Sequence, residues 1–528
     1  MASASLPGGA LFFVARRRFM AEPTLAVGFP VAPRGREGYS GEMTVYRPGD
    51  TCWRTARAAR AAFLIDNEAF FAAAYDAIGK ARRSILLLGW GFDPRTRLFP
   101  DGYDGPDDPD EIGRVLVEMA HARPEIDIRL LIWKSALPIS ASQEFFPHKA
   151  RAFFKGTPVN FLLDDAVPFG ACHHQKVLVI DDRLAFCGGG DISVDRWDSP
   201  AHLDDDRRRL MPKQEEHVPR HEVMMLVDGP AAKALGDLAR ERWRRATDEV
   251  LPEPEDAGGD PWPDQVPAAL TDLEVAIQRT EPAWKGRPMV DEIRRLNIAS
   301  IEAARQTIYL ENQYFTSPLV TEALAARLAE PDGPEVVLVS TAKAPSWFDQ
   351  LTMDRARGAM IWRLRAAYIF GRFRAYSPVT SGGETIIVHS KVTVIDDRIA
   401  RVGSANLNNR SGGFDTECEI GVECDGEAER LTITAFRDRL VGHFMGVTGD
   451  AVAKARVDFG SLGAAIDALN RAGRLAPIEP PKLSAAGEFI AHYHMGDPSD
   501  VSDSWRLGRR RDRLIREARD FAKAKRAD

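Results

Sequence analysis

One stretch of sequence occurs twice in this chain, and it constrains the fold more than any other feature. The first copy runs from His174 to Asp181 with the pattern His-x-Lys-x4-Asp, and the second runs from His389 to Asp396 with the same pattern. In each copy six residues separate the aspartate from a glycine-rich corner, which reads Gly-Gly-Gly-Asp in the first and Gly-Ser-Ala-Asn in the second. A spaced match of this length predicts an internal repeat.

Each copy is predicted to present its histidine and lysine side by side. Residues two apart in a strand share one face, because successive side chains point to opposite faces. The pairs His174 with Lys176 and His389 with Lys391 therefore project together. The valines that alternate with them are expected on the opposite, buried face.

In each motif the aspartate lies seven residues after the histidine, and this odd spacing places the two residues on opposite faces of a strand. Asp181 and Asp396 are each followed by Asp-Arg, a sequence typical of turns, in which an aspartate bonds local backbone amides. We therefore predict that both aspartates are structural residues that shape the site and do not react.

The order of predicted strands and helices also repeats, which is typical of α/β architecture. We predict two similar α/β halves, each a mixed sheet flanked by helices, packed face to face with one active site at their interface. The predicted elements of the first half are strands 61–65, 84–89, 128–133 and 176–180, with helices at 67–83 and from about residue 110. Those of the second half are strands 273–277, 307–310, 335–340 and 391–395, with a helix at 289–305.

The predicted organisation of the 528 residues has five parts. A segment rich in Pro, Gly and acidic residues separates the two halves and is interpreted as a linker. The parts are a loosely ordered tail (1–40), the first half (41–250), the linker (251–268), the second half (269–470) and an extension (471–528) with a basic-acidic helix at 509–526.

Composition favours a globular protein that does not bind nucleic acid generally. There are 70 Lys and Arg against 77 Asp and Glu, a net charge of −7, whereas sequence-independent nucleic-acid binding usually needs a basic surface. The five cysteines show no metal-type pairing and are expected to be buried free thiols. No stretch approaches the about 20 apolar residues of a membrane span. We expect a cytoplasmic or peripheral membrane location, with secretion left open.

Two His-Lys pairs suit chemistry on a phosphodiester. Two ammonium groups can hold the non-bridging phosphate oxygens and stabilise the charge of a five-coordinate transition state. One imidazole can attack phosphorus while the other, protonated, donates to the leaving alkoxide. The reaction then runs through a phosphohistidine, and it requires no metal or other cofactor.

The two histidines need opposite protonation states, although an unperturbed histidine titrates near ~6.5. A carboxylate on the far ring nitrogen would fix the tautomer and orientation of each ring. Glu222 and Glu417, each next to a returning strand, are the candidates.

A metal cluster is the alternative use of other histidines in the chain. His202, His217 and His221 lie close in sequence, and His217-x3-His221 has the ligand spacing of a helix. Pro219 between them argues against that helix. We therefore expect no metal site there.

These residues resemble the paired signature motifs of the phospholipase D superfamily, over roughly residues 45–450. Three further segments resemble the phospholipid-cleaving branch of that family. They are Ile308–Phe315 (IYLENQYF), Asp191–Asp198 (DISVDRWD) and Asn409–Ser411 (NRS).

The resemblance implies one site formed by both halves, with His174 as nucleophile and His389 as general acid. It also implies that each histidine is paired with an acid from the opposite half, Glu417 for His174 and Glu222 for His389. The residues implied to lie near the phosphate are Asn406, Ser404 and Asp191.

The implied function is a phospholipase D-type phosphodiesterase that acts on glycerophospholipids at a membrane surface. It would release phosphatidic acid and the free headgroup, or transfer the phosphatidyl group to an alcohol. A cardiolipin synthase uses the same chemistry with phosphatidylglycerol as acceptor and is the first alternative. A metal-independent endonuclease is the alternative from another substrate class. No oligomer is required, because both motifs lie in one chain.

Overall fold

The computed structural model describes most of the chain. The described residues are 44–100, 110–135, 147–213, 215–256, 258–344, 350–367, 370–479 and 496–501, with single positions at 512, 515 and 516. The predicted tail over residues 1–40 lies outside these ranges, as does almost all of the predicted helix over 509–526.

The first half alternates strands and helices in the predicted order. Its second strand, Ser-Ile-Leu-Leu-Leu-Gly, is buried along its whole length, and its first helix buries the apolar positions Phe70, Ala74 and Ile78. The strands are β1 (Arg54–Ile65), β2 (Ser84–Gly89), β3 (Asp127–Trp133), β4 (Asn160–Asp164), β5 (Val177–Ile180), β6 (Leu184–Gly188), β7 (Arg220–His221) and β8 (Val223–Asp228). The α-helices are α1 (Asp66–Lys80), α2 (Ile112–Ala122), α3 (Pro147–Phe153) and α4 (Gly229–Thr247).

The second half repeats this order. Its strands are β9 (Leu270–Glu281), β10 (Val290–Asp291), β11 (Thr307–Asn312), β12 (Glu335–Val339), β13 (Phe373–Pro378), β14 (Ile387–Val388), β15 (Lys391–Ile395), β16 (Ile399–Gly403), β17 (Glu417–Glu423) and β18 (Leu475–Pro477). Its α-helices are α5 (Glu292–Ala303), α6 (Pro318–Leu328), α7 (Arg355–Ala367), α8 (Asn409–Gly413), α9 (Glu427–Met445), α10 (Gly449–Phe459) and α11 (Leu462–Leu469). Residues 251–256 and 258–268 between the halves contain neither helix nor strand.

The two halves use the same strand order, which confirms the predicted pair of similar α/β halves. The first half runs β1-β8-β6-β5-β2-β3-β4, and the second runs β9-β17-β16-β15-β11-β12-β13. Within each half some neighbours are parallel and others antiparallel, so each sheet is mixed. An antiparallel pairing of β1 with β9 joins them, so the halves share one continuous 16-stranded sheet, an edge contact that the hydrophobic pattern did not predict.

The largest apolar core lies between the halves. One face of each half contributes to it, including Val177 and Val179 from the first motif and Val392 and Val394 from the second. Helices α4 and α9 also enter this core, since Leu235 and Ile433 are among its members and both are fully buried. Two further cores pack α1 and α2, and α5 and α6, against the outer faces of the sheet. The motif valines therefore hold the halves together.

Two sequence expectations concern thiols and membrane spans. All five cysteines are free and buried, as predicted, and the Sγ atoms of Cys187 and Cys418 lie 3.8 Å apart across the two halves. Across the described residues, no helix combines the length and the apolar character needed to cross a bilayer.

Candidate active site

Short backbone pairings between the halves bring the two motifs together. The strand β14, just ahead of the second motif, pairs with β7 of the first half, and the amide of His389 donates to the carbonyl of His221 at 2.9 Å. In the same way, the amide of His174 donates to the carbonyl of Thr416 at 2.9 Å. Each motif histidine is thus held beside the residue that precedes the candidate glutamate of the opposite half.

The histidines lie just ahead of the motif strands and not inside them. β5 begins at Val177 and β15 begins at Lys391, whereas the parity argument treated His174 and His389 as strand residues. The reason is that both histidine amides bond the opposite half instead of a neighbouring strand of their own sheet.

Each motif histidine bonds a glutamate from the opposite half, which is the pairing that the family resemblance implied. The Nδ1 atom of His174 lies 2.9 Å from Oε2 and 3.1 Å from Oε1 of Glu417. The Nδ1 atom of His389 lies 2.5 Å from Oε2 of Glu222. With the glutamates ionised, both Nδ1 atoms donate, and each Nε2 atom is left with a lone pair.

The two lysines are buried beside the histidines. Lys176 and Lys391 each expose only 2% of their surface. The ammonium of Lys176 donates to the carbonyl of His174 at 2.8 Å, and Lys391 makes the equivalent bond to His389. Lys176 also lies 3.3 Å from a carboxylate oxygen of Asp191. A buried ammonium is costly unless it has such partners.

Burial and positive charge set the protonation of the histidines. Desolvation lowers the pKa of both His174 and His389 well below the ordinary value, and the nearby ammoniums of Lys176 and Lys391 lower both further. The pKa of each histidine is lowered by the lysine of the opposite motif as well as by its own, so the four groups are electrostatically coupled. The imidazoles are therefore neutral at neutral pH.

Burial shifts the pKa values of the carboxyl and ammonium groups in opposite directions, in each case toward the neutral form. Desolvation raises the pKa of Glu417 to about 7, although hydroxyl donors and lysines act to lower it. Desolvation raises the pKa of Glu222 as well. Desolvation also lowers the pKa of Lys391 to about 7. Groups poised this close to neutrality can exchange protons during a reaction.

The three residues implied to lie near the phosphate have different surroundings. Asp191 accepts the backbone amides of Trp90 and Gly91 through one oxygen and faces Lys176 through the other. Ser404 donates to Oε2 of Glu417 at 2.5 Å. The side-chain oxygen of Asn406 is buried and has no hydrogen-bond partner among the described residues. The Oδ2 atom of Asp191, which faces Lys176, likewise has no hydrogen-bond partner among the described residues.

The motif aspartates lie at turns, as their sequence predicted, but the backbone amides that they bond are distant in sequence and not the local amides that were expected. Both have left-handed backbone conformations, with φ of 55° at Asp181 and 56° at Asp396. Asp181 accepts the amides of residues 82, 83 and 84, each at 2.7 Å, which fixes the start of β2. Asp396 accepts the amides of residues 305, 306 and 307 at the start of β11.

The structure adds residues to which the sequence had assigned no role. Ser411 donates to Oε1 of Glu417 at 2.6 Å, so this glutamate has two hydroxyl donors besides His174. Gly189 lies against Glu222, and a β-carbon there would collide with the carboxylate. The sequence signal for Ser411 was its place in the Asn-Arg-Ser segment. The signal for Gly189 was its place in the glycine-rich corner.

Family comparisons match both halves of the chain separately. The family described as "Phospholipase D" matches residues 77–258, and the family described as "Cardiolipin synthase, PLD-like domain" matches residues 298–438. The chain belongs to the phospholipase D superfamily. The two matches fall on the two structural halves, so each half is one phospholipase D-like domain.

Similar proteins carry names from the same superfamily. Phospholipase D A of Dictyostelium discoideum is 24% identical over 411 residues, which cover 66% of this chain and 31% of that protein. Phospholipase D1 of Schizosaccharomyces pombe is 23% identical over 490 residues, which cover 71% of this chain and 34% of that protein. The chain thus spans about a third of the length of these two relatives. A crystal structure of phosphatidylserine synthase from Haemophilus influenzae matches 78% of this chain and 95% of that one, with 13% identity and a TM-score of 0.47.

Proposed function

We propose that this protein is a phospholipase D-type phosphodiesterase. It hydrolyses glycerophospholipids to phosphatidic acid and free headgroup, and it transfers the phosphatidyl group to alcohols. The observation that carries the proposal is the symmetric pair of histidines, each bonded through Nδ1 to a buried glutamate of the other half. This arrangement leaves two Nε2 atoms, one for each side of an in-line displacement at phosphorus.

In the first step, Nε2 of His174 attacks phosphorus and the bond to the headgroup oxygen breaks. His389, protonated once the anionic phosphodiester is bound, gives its proton to that oxygen. Lys176 and Lys391 offset the charge on the non-bridging oxygens. The products are a phosphatidyl-histidine at His174 and the free headgroup alcohol.

In the second step, the neutral His389 takes a proton from water or from an acceptor alcohol. The oxygen attacks phosphorus, the bond to Nε2 of His174 breaks, and the lipid product leaves. Both histidines return to their starting states. The roles of His174 and His389 follow the family resemblance, because the near symmetry of the site does not distinguish them.

The direct assay supplies phosphatidylcholine vesicles together with a primary alcohol and measures the phosphatidyl-alcohol product. The proposal predicts phosphatidylbutanol from 1-butanol, phosphatidic acid from water, and no transfer to the hindered tert-butanol. The variant His174→Asn should lose both products, while His121→Asn, which changes an exposed histidine of α2, should keep them. Cleavage of DNA without turnover of any phospholipid would refute the proposal and favour the endonuclease alternative.

A cardiolipin synthase-type transferase is the second candidate, favoured by the match of residues 298–438 to the cardiolipin synthase domain. Its donor and acceptor are both phosphatidylglycerol. With vesicles of that lipid alone, a synthase forms cardiolipin and free glycerol, whereas a hydrolase forms phosphatidic acid and glycerol. The ratio of cardiolipin to phosphatidic acid decides between the two.

A further inference from the structure

A second cluster of polar side chains lies behind the Glu222 and His389 pair, and the mechanism does not use it. It consists of Asp66, His202, His221 and His443, and one possible ligand atom of each lies within 4.8 Å of the others. Asp66 begins α1, His202 lies in the segment between β6 and β7, His221 ends β7, and His443 is in the last turn of α9. The cluster therefore joins both halves of the chain.

The Nε2 atoms of His202 and His443 lie next to each other in this cluster. The Nδ1 atom of His443 donates to the carbonyl of Leu440 at 2.8 Å, and the Nδ1 atom of His202 lies 2.8 Å from a carboxylate oxygen of Asp198. Since both acceptors need a proton on Nδ1, both neutral rings carry their lone pair on Nε2. These two Nε2 atoms are only 3.1 Å apart. Two lone pairs at this distance repel unless either a proton or a metal ion lies between them.

A carboxylate oxygen completes a triangle with these two nitrogens. The Oδ2 atom of Asp66 lies 3.7 Å from Nε2 of His202 and 3.7 Å from Nε2 of His443. It is fully buried and accepts no hydrogen bond among the described residues. The centre of a triangle with sides of 3.1, 3.7 and 3.7 Å lies about 2.0 Å from each corner, and Zn²⁺ binds histidine nitrogen and carboxylate oxygen at about this distance.

The residues around the triangle hold its corners in place. His221 bonds the other oxygen of Asp66 at 2.8 Å through Nδ1 and bonds Glu311 at 2.9 Å through Nε2. With both nitrogens occupied, His221 orients the aspartate and is not itself a ligand. Bonds of this kind around a metal site fix the ring and carboxylate orientations.

Two members of the cluster have left-handed backbone conformations. Asp66 has a φ of 65° and His202 has a φ of 41°, both in the left-handed region. This region costs a non-glycine residue energy and is kept where the surrounding structure requires it.

We propose that Asp66, His202 and His443 bind one divalent transition-metal ion of the zinc class. Two neutral imidazoles and one carboxylate suit such an ion. An ion about 0.7 Å out of the plane of the three atoms lies about 2.2 Å from each and has tetrahedral geometry with the fourth position open. Two ligands come from the first half and one from α9 of the second, so the ion clamps the halves together. The adjacent residue pair His221 and Glu222 places this clamp directly behind the general acid.

This metal site is not the cluster of His202, His217 and His221 that the sequence argued against, although it shares His202 with it. Pro219 made a helix through His217 and His221 untenable, and His217 indeed bonds its own neighbour, the carbonyl of Val218. The fold instead brings His202 and His221 to Asp66 and His443, whose distance in sequence hides the pattern.

The test measures the metal content of the full, untagged chain purified without chelator and then loaded with Zn²⁺. One zinc ion per chain is expected, together with the visible absorption of four-coordinate Co²⁺ when cobalt replaces it. Loading should also raise the unfolding temperature by several degrees, since a ligand that binds only the folded state stabilises it. Absence of bound metal, of the cobalt absorption and of any thermal shift would overturn the proposal, and the contact between His202 and His443 would then be a hydrogen bond.

Variants locate the ion. His443→Asn and His202→Asn should each lose the stoichiometric metal, whereas the matched control His217→Asn, a buried histidine of the same region, should retain it. Retention of metal by both ligand variants would place the ion elsewhere and refute the assignment. If these variants do not fold, pulsed EPR of wild-type protein loaded with Cu²⁺ still counts the ligands. Two coupled imidazoles support the site, and any other number contradicts it.

Discussion

Nδ1 of His174 lies 2.9 Å from Oε2 of Glu417, and the two residues belong to opposite halves of the chain. Oxygen atoms of the same glutamate also accept the hydroxyls of Ser404 and Ser411. The carboxylate is thus bonded on three sides and holds the imidazole in one orientation. Neither motif can make this contact within its own half, which is why the site needs both.

Replacing this glutamate with its amide should abolish most activity without unfolding the protein. In Glu417→Gln an amide nitrogen or a weaker oxygen faces Nδ1, so the ring loses its fixed tautomer, and we expect kcat to fall by about 10²- to 10⁴-fold. Glu419→Gln is the matched control, because Glu419 is buried on the same strand but pairs with Arg401. Steady-state kinetics and thermal unfolding of both variants check this. A Glu417→Gln enzyme as active as the control would contradict the assigned role.

The motif aspartate should matter for stability and not for chemistry. Asp181 accepts three backbone amides, each at 2.7 Å. Removing the acceptor in Asp181→Ala should cost about 3 kcal/mol of unfolding free energy, while Asp181→Asn keeps one oxygen and should cost about 1 kcal/mol. Denaturant unfolding gives these values. The folded fraction of each variant should turn over at the wild-type rate, and a specific loss of kcat in Asp181→Asn would show that the aspartate takes part in the reaction.

Buried Lys391 predicts a particular dependence of stability on pH. Desolvation lowers its pKa to about 7 in the folded chain, whereas an unfolded lysine titrates near ~10.4. Between these values the unfolded chain binds more protons, so folding stability rises with pH. The difference in unfolding free energy between wild type and Lys391→Met should therefore change in favour of wild type from about pH 7 to about pH 9, by up to about 1.4 kcal/mol per pH unit. Parallel stability curves for the two proteins would contradict this burial effect.

Much of this architecture could be predicted from the sequence, because the motif and the order of strands and helices occur twice. The hydrophobic pattern located β2 and β11, and the Asp-Asp-Arg sequence located the turn at Asp181. The hydrophobic pattern predicts which face of a strand is buried, but it does not predict which strand pairs with it. The pairing of β1 with β9 was therefore not predicted.

The proposed metal ligands could not be predicted from the sequence either, because they too are brought together only by the tertiary fold. Asp66, His202 and His443 come from distant parts of the chain, namely α1, the segment between β6 and β7, and α9. No local spacing relates them, and only the packing of α9 of the second half against β1 of the first brings them together. The ring of Phe436 on α9 stacks on Phe63 of β1 with centroids 3.9 Å apart.

The most direct test of one site with two distinct histidines uses phosphatidyl-p-nitrophenol, whose leaving group needs no proton from a general acid. His389→Asn should release one equivalent of p-nitrophenol in a burst and then stall, because no base activates water, and alkaline quenching followed by peptide mass spectrometry should find the phosphatidyl group on His174. His174→Asn should give neither burst nor adduct. An adduct on His389, or a burst in His174→Asn, would contradict the account.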